Sequence, residues 1–331
     1  MSRQTTGRLG LLLTVLTAIP LATAPAARAQ DASAETIVDA LNTIFGKQKA
    51  RASHAKGQCV TGTFTPAPEA PGLSKSPSFA KAVPVLARFS MGGGNPKIPD
   101  ATKAAVRAIA FKLDPDGKSS EFAFVNAPVQ FAKSPAQMLG FLQARFPGAD
   151  GKPDPAKIKA FSDANPETTN QGKWLAGKPV PASYAGVNYW GVHAYTLTNA
   201  KGDKAVVKFK LIPTAGEAGL TDDEAKAKPA DFLIDELKGR LEKGAASFDL
   251  IAIIGEAGDQ TNDPSAMWPE DKRKTVKLGT MAIAAIADNA KCDAGTFDPT
   301  QLADGISGPK DDPLFDIRSP AYAVSLSRRA Q

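Results

Sequence analysis

The chain has 331 residues, 43% hydrophobic and 22% charged, which excludes global disorder, collagen and coiled coil. Two cysteines (Cys59, Cys292) and two histidines (His54, His193) occur, so a disulfide-rich scaffold and a four-thiolate zinc site are out, and imidazole chemistry must use one of these two rings. Residues 1–29 hold Arg3, Arg8 and Arg28 and no acid, so the formal net charge falls from +6 to +3 without them, and that mild excess with no dense basic patch does not point to nucleic acid.

Taken in chain order, residues 1–29 read as a secretory signal peptide. Arg3 and Arg8 precede the apolar stretch Leu9 to Leu21, which is too short to span a bilayer, and Ala27-Arg28-Ala29 supplies a cleavage signature before Gln30. Export to a bacterial periplasm is expected, with 30–331 as a single domain. No other apolar run reaches the roughly 18 residues a membrane helix needs. An oxidising compartment admits a Cys59–Cys292 disulfide, and two separate buried thiols are equally compatible with the sequence.

Ile37, Val38, Leu41, Ile44 and Phe45 recur at helical spacing within 30–50. The Pro- and Ser-rich stretch 65–80 reads as a loop. Strands are expected at 83–89, before Gly92-Gly-Gly94, and at 107–113, closed by the turn Asp114-Pro-Asp-Gly117. Phe122 and Phe124 alternate in the next strand. Helical patterns follow at 134–146 and 154–163. Tyr195/Leu197 and Val207/Phe209/Leu211 flank Asn199-Ala-Lys-Gly-Asp203, a hairpin signal. Phe232, Leu233, Leu237 and Leu241 form a helical stripe, and 247–254 and 274–286 read as strands. Many short antiparallel strands with helices between them indicate an α+β fold on a barrel or a sandwich. There is no βαβ rhythm, and the glycine cluster does not match a phosphate loop.

The segments Arg51-Ala-Ser-His54-Ala-Lys-Gly57, Arg88-Phe-Ser90, Gly191-Val-His193, Phe297-Asp-Pro-Thr300 and Arg318-Ser-Pro-Ala-Tyr322 with Arg329 carry the chemistry. In this order and spacing, from about residue 35 to 329, the chain resembles the haem catalase superfamily, and more closely its short, exported catalase-related peroxidases. The resemblance implies an antiparallel β-barrel core with inserted and flanking helices, and haem b as the iron cofactor. It places Tyr322 as the iron ligand. On a helix Arg318 and Tyr322 share one face, where a guanidinium favours a charged phenolate. His54 takes the place of the distal histidine that moves a proton between peroxide oxygens, with Ser90 holding its tautomer. His193 and Asp312 extend a proximal chain from Tyr322 through Arg318. Arg51, Arg88 and Arg329 match the arginines that pair with haem propionates.

Two departures stand out. A gap-free register puts Val125 where the family has its distal asparagine and Asn126 beside it. Either a small shift aims Asn126 at the peroxide, or the distal amide is missing. On the distal face Gln130 and Met138 replace stacking aromatics, while Phe131 and Phe141 remain, and a more open side suits bulky donors. The expected function is a haem peroxidase that reduces hydrogen peroxide or organic hydroperoxides with a small-molecule electron donor. The expected assembly is a monomer or simple dimer. True catalase activity, fatty-acid hydroperoxide rearrangement and non-catalytic haem binding are the alternatives.

Overall fold

The computed structural model describes residues 1–2 and 31–329, so the predicted signal segment and its cleavage site lie outside the described residues apart from Met1 and Ser2. Eight strands carry the fold: β1 (Gly57–Pro66), β2 (Val83–Met91), β3 (Arg107–Leu113), β4 (Ser120–Val125), β5 (Tyr189–Thr198), β6 (Lys204–Pro213), β7 (Ala246–Ile254) and β8 (Thr275–Ile286). They pair antiparallel in the order β5-β4-β3-β2-β1-β8-β7-β6, and β6 pairs back onto β5. That last pairing closes a barrel and removes the free edges a sandwich would keep.

The period of two in each strand sorts its side chains onto two faces. Ala87, Phe89 and Met91 of β2, Ile109 and Phe111 of β3, and Phe122 and Phe124 of β4 enter the main core with Tyr195 and Phe209. Phe111 stacks on Phe122 at 5.1 Å between centroids and meets Phe124 edge-on at 5.2 Å. Residues of the opposite parity, Arg88, Ser90, Ala108, Ala110, Ala123 and Val125, therefore face outward. Their register aligns Ser90 with Ala108 and Ala108 with Val125, and aligns Arg88 with Ala110 and Ala110 with Ala123. Three alanines on one outer face leave room there for a flat body.

Six longer helices accompany the barrel: α1 (Ala34–Phe45), α2 (Pro135–Gln143), α3 (Pro155–Ala164), α4 (Asn170–Ala176), α5 (Phe232–Leu241) and α6 (Arg318–Arg329). Of these, α1, α2, α4 and α6 line a cavity on that face, and α5 packs Phe232, Leu233 and Leu237 into the main core. The predicted helix at 30–50 is shorter, because the Ser33 hydroxyl caps the Thr36 N–H and Gly46 ends the helix at φ 78°. Ser134 and Asp154 cap α2 and α3, each followed by proline in the first turn, where its missing N–H costs nothing. The predicted loop at 65–80 contains two helical turns, Ala70–Leu73 and Pro77–Phe79. A second apolar cluster joins Ile37 and Ala40 of α1 to Leu139 and Leu142 of α2, with Phe141, Phe146 and Ile317 against it. A disulfide joins Cys59 of β1 to Cys292, across 233 residues of chain, which settles the two alternatives in favour of the bridge. No described helix is long and apolar enough to cross a membrane.

Candidate active site

A cavity of about 710 Å³ lies between the outer face of β2–β4 and the helices, within the size range of cofactor sites. His54 lines it from the loop before β1. Its backbone is left-handed, φ 58°, an uncommon state for a residue with a side chain. The Arg88 guanidinium holds that turn, donating from Nη1 to the His54 carbonyl at 2.8 Å and from Nη2 to the Ala55 carbonyl at 2.9 Å. Ser90 Oγ lies 3.1 Å from His54 Nδ1. Burial, followed by the charges of Arg88, Arg318 and Arg51, pushes the His54 imidazole down to about 4. At neutral pH the ring that lines the cavity is therefore uncharged.

The opposite wall is built from α6 and the bulge in β5. Pairing of β5 with β6 shifts register between Gly191 and Tyr195, and the bulge brings Val192 and His193 to the cavity in succession. His193 Nδ1 meets Asp312 Oδ2 at 2.6 Å, and Arg318 Nη1 lies 2.9 Å from Nε2. Arginine can only donate, so Nε2 accepts and Nδ1–H points to the carboxylate. The other Asp312 oxygen caps the turn Pro313–Asp316 through the Leu314 and Phe315 N–H groups. Both carboxylate oxygens are thereby fixed. Burial drives the His193 pKa below its ordinary value, although the Asp312 contact acts the other way. Arg318 then places Nε at 3.1 Å and Nη2 at 2.5 Å from the Tyr322 hydroxyl. Burial alone would weaken the Arg318 charge, but the Tyr322 oxygen beside it raises its pKa above the ordinary value.

Three further guanidiniums gather where α6 meets the loop after β8. Arg51 pairs with Asp293 and donates to the Cys292 carbonyl at 2.7 Å. Arg329 donates to the Gly295 carbonyl at 2.6 Å. Burial and the neighbouring Arg51 charge press both Arg88 and Arg329 down to about 10. Asp293 is the one carboxylate paired with this trio among the described residues. The Nε atoms of Arg88 and Arg329 are buried without a hydrogen-bond partner. Crowded cations with unmet donors fit a ligand that carries two carboxylates, as a porphyrin with its propionates does.

A model of the family described as Catalase matches residues 42–330. The chain belongs to the catalase family. Among curated proteins, this catalase-family chain is 37% identical to a catalase-related peroxidase of Synechococcus elongatus, covering 90% of this chain and 88% of that one. It is 35% identical to a catalase-related peroxidase of Mycolicibacterium paratuberculosis, covering 88% and 93%. Solved structures confirm the fold. A fungal catalase superposes with a TM-score of 0.76 at 22% identity, and catalase A from Saccharomyces cerevisiae with 0.74 at 19%. The chain covers 59% and 61% of those two longer chains.

Of the residues singled out in the sequence, His54, Ser90, Arg51, Arg88, Phe131, His193, Arg318, Tyr322 and Arg329 all line the one cavity, and Asp312 supports it from behind His193. Asn126 does not. Its Oδ1 accepts the Arg107 N–H at 2.8 Å, and its own N–H donates to the Arg107 carbonyl at 2.9 Å. Strand parity turns Val125 to the cavity and Asn126 away, so the sequence-based expectation of an amide aimed at the peroxide is corrected. The Phe131 and Phe141 rings lie 4.5 Å apart, tilted by 36°. The sequence pattern missed Arg145 and the α4 segment with Gln171 and Lys173, which also line the cavity. Neither carries a motif, and only the fold brings them to this wall.

Proposed function

We propose that the chain is an exported haem peroxidase that reduces hydrogen peroxide or organic hydroperoxides at the expense of a small-molecule electron donor. One observation carries the reading: a single cavity has a neutral imidazole backed by serine on one wall and a phenol oxygen gripped by arginine on the other. The catalase-related peroxidases of similar length support it.

Tyr322 would hold the iron of haem b, and Arg51, Arg88 and Arg329 would pair with its propionates. When bound, the haem supplies a metal centre that takes up two oxidising equivalents from peroxide and returns them to the donor. The chain's own part is positioning and proton movement. Two N–H donors on the Tyr322 oxygen favour an anionic ligand, and the Arg318–His193–Asp312 chain fixes the guanidinium that supplies them. With Nδ1–H donated to Ser90, His54 Nε2 keeps a free lone pair. It would accept a proton from one peroxide oxygen and return it to the other, the departing one. Val125 offers no hydrogen bond where an amide would position a second peroxide. Peroxidase turnover is therefore favoured over dismutation. Export to the periplasm belongs to the same proposal, supported by the signal-like N-terminus and by the Cys59–Cys292 bridge.

The test is an absorption spectrum of the haem-loaded protein before and after peroxide, with and without donor. Donor-dependent peroxide loss is expected, and His54→Ala should lower it by about 10²–10⁴-fold. Full turnover in His54→Ala would overturn the proton role. A protein that stays colourless with haem would overturn the whole reading, and brisk oxygen release without donor would favour a catalase.

A further inference from the structure

Six cationic side chains line the cavity (Arg51, Arg88, Arg145, Lys173, Arg318 and Arg329), and no aspartate or glutamate does among the described residues. Arg318 is spent on Tyr322 and His193. Arg51, Arg88 and Arg329 suffice for two propionates. Arg145, just after α2, and Lys173, on α4, are left over.

Arg145 is not a free surface residue. Its guanidinium lies 3.3 Å from the centre of the Phe141 ring, and Nη1 donates to the Phe141 carbonyl at 2.8 Å. Burial weakens its charge, yet it forms no ion pair among the described residues. Lys173 is exposed and likewise has no carboxylate partner among them. Phe131, Met138, Phe141 and Leu142 line the same cavity, with Gln130 and Gln171 as polar neighbours. A partly desolvated guanidinium packed on an aromatic ring in such a cavity suits a ligand with an apolar body and a carboxylate tail.

We infer that Arg145, with Lys173 as a second unpaired cation of the same cavity, selects a second substrate bearing a carboxylate on an apolar body. The inference rests on the peroxidase reading and deepens it. The carboxylate belongs either to the organic hydroperoxide or to the electron donor, and matched esters separate the two. In one arm hydrogen peroxide is the oxidant, with ferulic acid or its methyl ester as donor. In the other, methyl ferulate is the donor, with a fatty-acid hydroperoxide or its methyl ester as oxidant. The ratio of kcat/KM for acid over ester is the readout. Arg145→Gln should lower it about tenfold in one arm, through KM, and Arg145→Lys should restore most of it. Lys173→Gln, at an exposed position, should lower the same ratio about twofold, and added salt should erode it.

Calorimetric titration of the haem-loaded protein with benzoate, which neither oxidises nor reduces, should show binding weakened by Arg145→Gln. An acid-to-ester ratio near one in both arms, or one untouched by either substitution, overturns the inference. Absence of any turnover with methyl ferulate and hydrogen peroxide would instead overturn the peroxidase reading. Benzoate binding unchanged in Arg145→Gln would then still decide against Arg145.

Discussion

Arg88 contributes both to the left-handed backbone of His54 and, after burial, to the low proton affinity of its ring. Arg88 grips the carbonyls of His54 and Ala55, and the same guanidinium sits close enough to repel a proton from the imidazole. With the ring driven to about 4, donor-dependent turnover should stay level from pH 7 to about pH 5 and fall only toward pH 4. An inflection near the ordinary histidine value of about 6.5 would contradict this. The sign for stability follows from the depressed native pKa. As pH drops, the unfolded ring protonates first, so the contribution present above about 6.5 is lost between 6.5 and 4. Melting temperature against pH, compared with His54→Gln, checks it. Tyr322→Phe removes the oxygen that accepts from Arg318 Nε and Nη2. The cofactor-free protein should lose about 1–3 kcal/mol, and haem should fail to load or show a shifted Soret band. An unaltered band would refute the ligand.

Strand parity explains why so much of the architecture was legible. Phe122 and Phe124 alternate in β4, and such alternation needs no knowledge of neighbours to mark an inward face. Helix ends were less legible, because Ser33 and Gly46 act through caps rather than through the apolar stripe. The His193 bulge leaves no trace in alternation, since it arises where β5 and β6 lose register. Gly57 tests how tightly β1 and β2 hold the distal side. A Cβ there would lie 2.3 Å from the Phe89 carbonyl oxygen and 2.6 Å from Arg88 Cζ. Gly57→Ala should therefore cost about 1–3 kcal/mol, seen as a lower melting temperature, and should displace the Arg88 clamp on His54. A stability equal to the parent's would show that the pairing yields more easily than the geometry implies.

The molecule as a whole is tied together at one corner. The Cys59–Cys292 bridge anchors the loop after β8 to β1, and that loop supplies the Cys292 and Gly295 carbonyls and Asp293 to Arg51 and Arg329. Arg329 reaches it from the last turn of α6, and Ser325 of the same helix accepts the Ala52 N–H at 3.2 Å. The loop before β1, the loop after β8 and α6 thus meet at the propionate end of the cavity. Replacing both cysteines with alanine should lower stability by about 2–5 kcal/mol and speed haem loss, read by melting and by transfer of haem to an apo-globin acceptor. Unchanged retention in the double variant would separate the bridge from the site.

Local spacing was enough for the strand faces and for the one-face pairing of Arg318 with Tyr322, because each depends on residues a few positions apart, whereas the proximal order of His193, Asp312, Arg318 and Tyr322 came from the resemblance to the catalase superfamily. The closed barrel settled what spacing left open. It joined two cysteines 233 residues apart, turned Val125 outward to the cavity and Asn126 away, and brought Arg145 and Lys173 to the cavity that His54 lines. Those outcomes follow from which strands become neighbours and in what register, and such long-range contacts have no period along the chain from which to be read.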